Sequence, residues 1–145
     1  DRCAAGTGRF LEVMASAFGL SIGDFAQMAL KSKTRIEISN TCTVHARSEA
    51  LSLLTRGIKL EDISMALHRA IVERVTIMAR KVGINPVVLF DGGPAKNLAL
   101  RQNLEEAIGM EVYVPDHPQI VAAIGAALMA AEQINDRNQL VMETQ

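Results

Sequence analysis

Two thiols, two short glycine clusters and the polar side chains beside them are the residues of this sequence whose types and spacing could do chemistry. In Cys3-Ala4-Ala5-Gly6-Thr7-Gly8-Arg9-Phe10 a thiol precedes two glycines, a hydroxyl and the start of a helical pattern. Glycines there let a ligand approach the backbone, and the free amides of a helix start favour an anion, although the same composition also suits a tightly packed turn. In Ser39-Asn40-Thr41-Cys42-Thr43 a second cysteine stands at or near a helix amino terminus, where the helix dipole stabilises a thiolate and makes it a better metal ligand. A single cysteine of this kind is more often a small buried hydrophobe. Two of them, both at helix starts and with no third cysteine in the chain, are half of a four-cysteine site, which a two-fold dimer would complete on its axis. His45 follows Cys42 by three residues and offers zinc as an alternative, but one chain would still lack a fourth ligand. His45, His68 and His117 otherwise read as exposed or hydrogen-bonded residues, and a Cys3–Cys42 disulfide is a further alternative.

The third stretch is Asp91-Gly92-Gly93-Pro94-Ala95-Lys96-Asn97, between an apolar run and a helical pattern. In open α/β sheets ligands bind beyond the carboxyl ends of the strands, so a nucleotide is expected here. Gly92 and Gly93 would admit a purine or ribose against bare backbone, with Lys96 and Asn97 offering polar contacts; a plain strand-to-helix turn has the same composition. Gly-x-x-x-x-Gly-Lys-Ser/Thr is absent, no Ser, His and Asp arrangement stands out, and no catalytic residue is assigned.

These stretches need elements to hold them. Phe10, Leu11, Met14, Ala15 and Phe18 recur at helical spacing from Gly8 to Phe18, with Gly19 as a stop. A second helix is expected over Ile22–Leu30 behind Ser21, with the basic group Lys31, Lys33 and Arg35 at its carboxyl end. Arg35-Ile36-Glu37-Ile38 alternates like a short strand. A helix from Thr43 to Arg56 ends at Gly57, and a long one carries a buried stripe of Leu60, Ile63, Leu67, Ile71, Val75, Met78 and Val82 before Gly83. The continuous run Val87–Phe90 reads as a strand covered on both faces, which implies a parallel sheet. Asn97–Ile108 is a helix, Met110–Val114 a short strand, and Gln119–Ile134 a last helix whose Ala122, Ala123, Gly125, Ala126 and Ala127 suit close packing. Residues 135–145 form a polar, frayed tail. Helices alternating with buried strands make an α/β layered architecture.

At 145 residues, nearly half of them apolar, the chain supports one compact core. A net charge of -1 and few aromatics argue against nucleic acid, and the most apolar run, residues 120–131, is too short to span a membrane. Glu12, Arg47, Glu49, Arg69, Glu73 and Arg74 fall on solvated helix faces, and the seven methionines read as core filler. The opening Asp1-Arg2-Cys3 is unlike a translation start and no secretory run follows it, so a fragment of a longer cytoplasmic chain is expected.

Taken together, Cys3 to Glu12, Ser39 to Val44 and Gly92 to Asn97 resemble three ordered motifs of the BadF/BadG/BcrA/BcrD ATPase family, within the acetate and sugar kinase, Hsp70 and actin superfamily. The helix at Ala122 to Leu128 extends the likeness, which covers roughly residues 1–132. The intact Gly6-Thr7-Gly8 is most similar to activators of 2-hydroxyacyl-CoA dehydratases, with the ATPase subunits of benzoyl-CoA reductase as the alternative within the family. The resemblance implies part of an actin-like (ribonuclease H-like) domain, a short mostly parallel sheet packed with helices, over residues 1–134. It implies that Cys3 and Cys42 from each of two subunits hold one [4Fe-4S] cluster. It further implies that Gly6, Thr7, Gly8, Gly92, Gly93, Lys96 and Asn97 serve a site for ATP or ADP with Mg. One electron would pass to a dehydratase partner. The family's amino-terminal domain and two phosphate-binding turns are not among these residues, so the piece alone is expected to be inactive, and Pro94 departs from the small residue expected there. An actin-fold small-molecule kinase with structural thiols, and a non-catalytic assembly fragment, are the readings of other classes.

Overall fold

The computed structural model describes residues 6–38 and 43–143. Among the described residues six α-helices and two short strands follow one another as α1 (Thr7–Ala17), α2 (Ile22–Ala29), α3 (Thr43–Thr55), α4 (Leu60–Val82), β1 (Val88–Leu89), α5 (Leu98–Ile108), β2 (Val112–Tyr113) and α6 (Val121–Glu143), with a 3-10 turn at Gly93–Lys96 before α5. The strands pair in parallel, Val88 opposite Val112 and Leu89 opposite Tyr113, so α5 is the crossover between them.

The ends of the helices follow from the residues there. Ser21 caps α2 by accepting from the Asp24 amide at 3.1 Å. Glu61 and Asp62 lie in the first turn of α4 and Arg80 and Lys81 in its last, each sign opposing the helix dipole, and Gly83 ends the helix at a φ of 88°. Gly109 closes α5 in the left-handed region, at a φ of 72°.

The core lies where α1, α2, α3 and α5 meet the first half of α4, with Leu11, Met14, Phe25, Ile63 and Leu67 essentially excluded from solvent. Truncating any of these to alanine is a cavity-forming change of about 2–5 kcal/mol. The expected stripe on α4 holds at Ile63, Leu67 and Ile71 but runs out before Val82, which is exposed. In its first half α4 buries more than a stripe, since Asp62, Ser64 and His68 are buried with it.

Three expectations are corrected. Residues 35–38 form no strand; they keep the alternation, with Ile38 buried and Arg35 and Glu37 exposed, but lie along a groove beside α4 and α5 without a paired strand among the described residues. Val87 is 83% exposed and Leu89 51% exposed, so β1 is not covered on both faces within the described residues. The last helix does not stop at Ile134 but continues to Glu143, and its apolar residues Ile124, Leu128 and Met129 are exposed rather than packed. No described helix is long and apolar enough to cross a membrane.

Asp62 secures the loop after α2. Its Oδ1 accepts from Ser32 Oγ at 2.7 Å and from the Lys33 and Thr34 amides at 3.1 Å each. The Ser32 hydrogen bond, helped by those amides and Lys59, holds its pKa below the ordinary aspartate value despite burial. A depressed folded pKa contributes stability that is complete well above the unfolded value of about 3.9 and is lost as pH falls through the folded value. Asp62→Asn is therefore expected to lower unfolding free energy by about 1–3 kcal/mol at neutral pH. In urea titrations the gap from the parent protein should narrow only below about pH 4.

Candidate nucleotide site

Beyond the carboxyl end of β1 the chain turns through Gly92, and its geometry explains the residue. Gly92 has φ 81° and ψ -178°, a combination open essentially to glycine alone, and its amide donates to the Pro118 carbonyl at 2.7 Å. Pro94 is the second residue of the 3-10 turn, where its fixed φ is suitable. Asn97 ends that turn and caps α5, its Oδ1 accepting from the Leu100 amide at 3.0 Å.

Across from this turn stands the start of α1. A Cβ on Gly8 would lie 3.3 Å from Pro94 Cγ, so glycine is what permits the approach. The first and third sequence motifs, far apart along the chain, thus meet in space. Between them and α2 is a cavity of 380 Å³, within the range of small-molecule sites. Leu11, Ile22 and Ala26 supply an apolar wall, Gly8, Gly23 and Gly93 expose backbone, and Gln27, Lys96 and Gln119 stand at polar positions around it. Lys96 Nζ donates to Gln119 Oε1 at 2.6 Å. An apolar wall with amide and ammonium groups beside it suits a heteroaromatic base with polar edges.

Of the residues expected at a nucleotide site, Gly8, Gly93, Lys96 and Asn97 line this cavity. Thr7 lines a neighbouring apolar space of 180 Å³ with Phe90 and Pro94. Gly92 shapes the turn, whereas a Cβ on Gly6 would meet nothing within 4 Å. The side chain of Asn97 is engaged inward: Nδ2 donates to Nε2 of His68 at 3.0 Å, and His68 Nδ1 donates to the Ser64 carbonyl at 2.7 Å. His68 is fully buried, and desolvation lowers its pKa, which makes the neutral ring with its proton on Nδ1 the form that satisfies both partners. His68 is thus hydrogen-bonded, one of the two forms expected for it, while its full burial and its link to Asn97 were not anticipated; the signal was a histidine standing next to Leu67 inside an apolar period.

Cys3 and Cys42 lie outside the described residues. The helices that follow them begin at Thr7 and Thr43, and Arg9, Glu12 and Val13 of α1 share a cleft of 410 Å³ with Arg47 of α3. His45 is exposed on α3, and among the described residues no three His, Cys, Asp or Glu side chains converge on a common point.

A parallel strand pair, a glycine turn at the strand's carboxyl end and a helix crossover define part of an α/β domain of the actin-like ATPase type. The chain belongs to the BadF/BadG/BcrA/BcrD ATPase family, whose model matches residues 1–130. It is 45% identical over 130 residues to the (R)-2-hydroxyglutaryl-CoA dehydratase activating ATPase of Acidaminococcus fermentans, covering 90% of this chain and 50% of that one. It is 38% identical over 136 residues to the 2-hydroxyisocaproyl-CoA dehydratase activator of Clostridioides difficile, covering 94% and 51%. A solved structure of the activator of the 2-hydroxyisocaproyl-CoA dehydratase from Clostridium difficile with bound ADPNP superposes with a TM-score of 0.85 at 37% identity, covering 96% of this chain and 52% of that one. The chain spans about half the length of the relatives it matches.

Replacing Gly92 by alanine forces a side chain into a conformation it rarely adopts, at an expected cost of about 1–3 kcal/mol. Urea unfolding of Gly92→Ala should register that loss.

Proposed function

We propose that these residues form much of the second domain of an ATP-hydrolysing activator of a 2-hydroxyacyl-CoA dehydratase. The observation that carries this reading is the cavity at the carboxyl end of β1, walled by Gly8 on one side and Gly93 to Asn97 on the other, in a chain that superposes on an ADPNP-bound activator. Its volume, apolar wall and bare backbone suit an adenosine moiety, while the phosphates and Mg would be held mainly by residues outside this chain. Half coverage of the relatives, and the exposed apolar surfaces of β1 and α6, support an incomplete sheet that the remainder of a longer polypeptide covers. On this reading the 145 residues alone hydrolyse little ATP.

In the same proposal Cys3 and Cys42 are thiolate ligands, two from each subunit of a homodimer, for one [4Fe-4S] cluster. The cluster would supply one electron at low potential to the dehydratase. Two points support this assignment. In sequence the cysteines precede the first residues of α1 and α3 by four positions and one, and a thiolate at a helix amino terminus is stabilised by the helix dipole. Arg9 and Arg47 also line one cleft between α1 and α3, where guanidinium groups lower the cost of nearby negative charge, with Arg9 paired to Glu12 at 2.9 Å.

The test is anaerobic purification of the full-length protein, with iron, sulfide and visible absorption measured per dimer beside a Cys3→Ala, Cys42→Ala double variant. About four irons per dimer, lost in the variant, are expected from four-cysteine ligation. Iron-free protein that dimerises and hydrolyses ATP would instead favour a small-molecule kinase with structural thiols.

A further inference from the structure

Buried hydrogen bonds join α4 to both walls of the cavity. On one side Ser64 Oγ donates to the Phe25 carbonyl at 2.8 Å, and Phe25 belongs to α2, whose Ile22, Gly23 and Ala26 line the cavity. On the other side His68 accepts from Asn97 at 3.0 Å, and Asn97 lines the opposite wall. The two attachments are themselves connected, because His68 Nδ1 donates to the Ser64 carbonyl at 2.7 Å. A single polar path therefore runs from the α2 backbone through Ser64, His68 and Asn97 to the Leu100 amide of α5.

Every donor and acceptor along that path is used in one sense only. The Leu100 amide occupies Asn97 Oδ1, so Asn97 must present its NH2 to His68. The ring must then offer a lone pair at Nε2 and a proton at Nδ1, where the Ser64 carbonyl waits. Ser64 and His68 are both fully buried, so no water replaces a lost partner without entering the core. The Phe25 ring lies against the imidazole with centroids 5.4 Å apart and limits its rotation.

We propose that Ser64 and His68 are positioning residues for the nucleotide pocket: they touch no ligand, but fix the distance between its α2 wall and its Gly93–Asn97 wall. The proposal rests on the nucleotide reading of this cavity. An imidazole side chain on α4 thereby determines where the Gly-Gly turn stands.

The experiment uses the full-length polypeptide that carries these residues, with His68→Leu, which removes both ring nitrogens, and His68→Gln, whose amide oxygen restores the acceptor facing Asn97. Three quantities are measured: the Kd for N-methylanthraniloyl-ADP, kcat and KM for ATP hydrolysis, and amide hydrogen exchange along residues 92–100. His68→Leu is expected to raise Kd and KM about tenfold and to speed exchange at 92–100, with kcat altered less than about twofold. His68→Gln should return Kd to within about threefold of the parent. Unchanged nucleotide binding and exchange in His68→Leu would overturn the proposal, as would exchange that rises evenly over the whole domain and is not reversed by glutamine. Should the parent bind no nucleotide, the functional reading fails, and exchange at 92–100 alone decides whether the path positions the wall. If His68→Leu does not fold, Ser64→Ala removes only the attachment to α2. Faster exchange in residues 22–29 with weaker ADP binding then supports the proposal, and parental values in both refute it.

Discussion

An imidazole taken wholly out of water needs partners for both nitrogens, and at His68 that requirement fixes an unusual amount of surrounding structure. The ring lies beside Leu67 and against Phe25, two residues with no solvent exposure, so its polar atoms are satisfied from within or not at all. Satisfaction comes from one carbonyl on its own helix and one amide group on the turn before α5. Protonation would set two donors against each other at Nε2 and Asn97 Nδ2, and desolvation already disfavours the charged ring. The neutral state, the orientation of Asn97 and the start of α5 are consequently one arrangement rather than three.

The turn held by Asn97 is short and each residue in it has a separate duty. Gly92 takes the reversal that a side chain would resist, Pro94 sets φ early in the 3-10 turn and stands opposite Gly8, Ala95 is buried, and Asn97 caps the next helix. Lys96 lines the cavity, and Gln119 Oε1 accepts from its ammonium group at 2.6 Å. The Gly92 amide and the Lys96 side chain both bond to the neighbouring residues Pro118 and Gln119, so the connection after β2 braces the turn from behind. A pocket wall built this way is preformed, which keeps the entropic cost of ligand binding small.

Much of this was legible in the residues themselves, and the exceptions have physical reasons. Helix starts and stops were readable because Ser21, Asn97, Gly83 and Gly109 act locally, through their own side chains or lack of one. The parallel pairing was expected from Val87–Phe90 as a strand covered on both faces; the pairing holds, although Val87 and Leu89 are exposed among the described residues. The segment 35–38 misled because alternation records which side chains are buried, not whether a neighbouring strand exists to accept the backbone hydrogen bonds. The small residues of α6 signal a close-packing surface, but its partner does not lie among the described residues. The partners of His68 and Ser64 were not readable, because they are the Asn97 side chain and the Phe25 carbonyl, 29 and 39 residues away, and nothing in a local pattern announces such distant pairs.

The approach of Gly8 to Pro94 has a mechanical consequence for the proposed activator. A Cβ at Gly8 would already sit 3.3 Å from the proline ring, so little free space separates α1 from the turn. Close-packed contacts of this kind transmit displacement rather than absorb it. If nucleotide moves the Gly93–Lys96 turn toward α1, the start of α1 must move with it, because Leu11, Met14 and Ala15 hold the helix together as one buried unit. Cys3 stands four residues before that start. A side chain larger than hydrogen at position 8 would press on Pro94 and push the start of α1 and the turn apart.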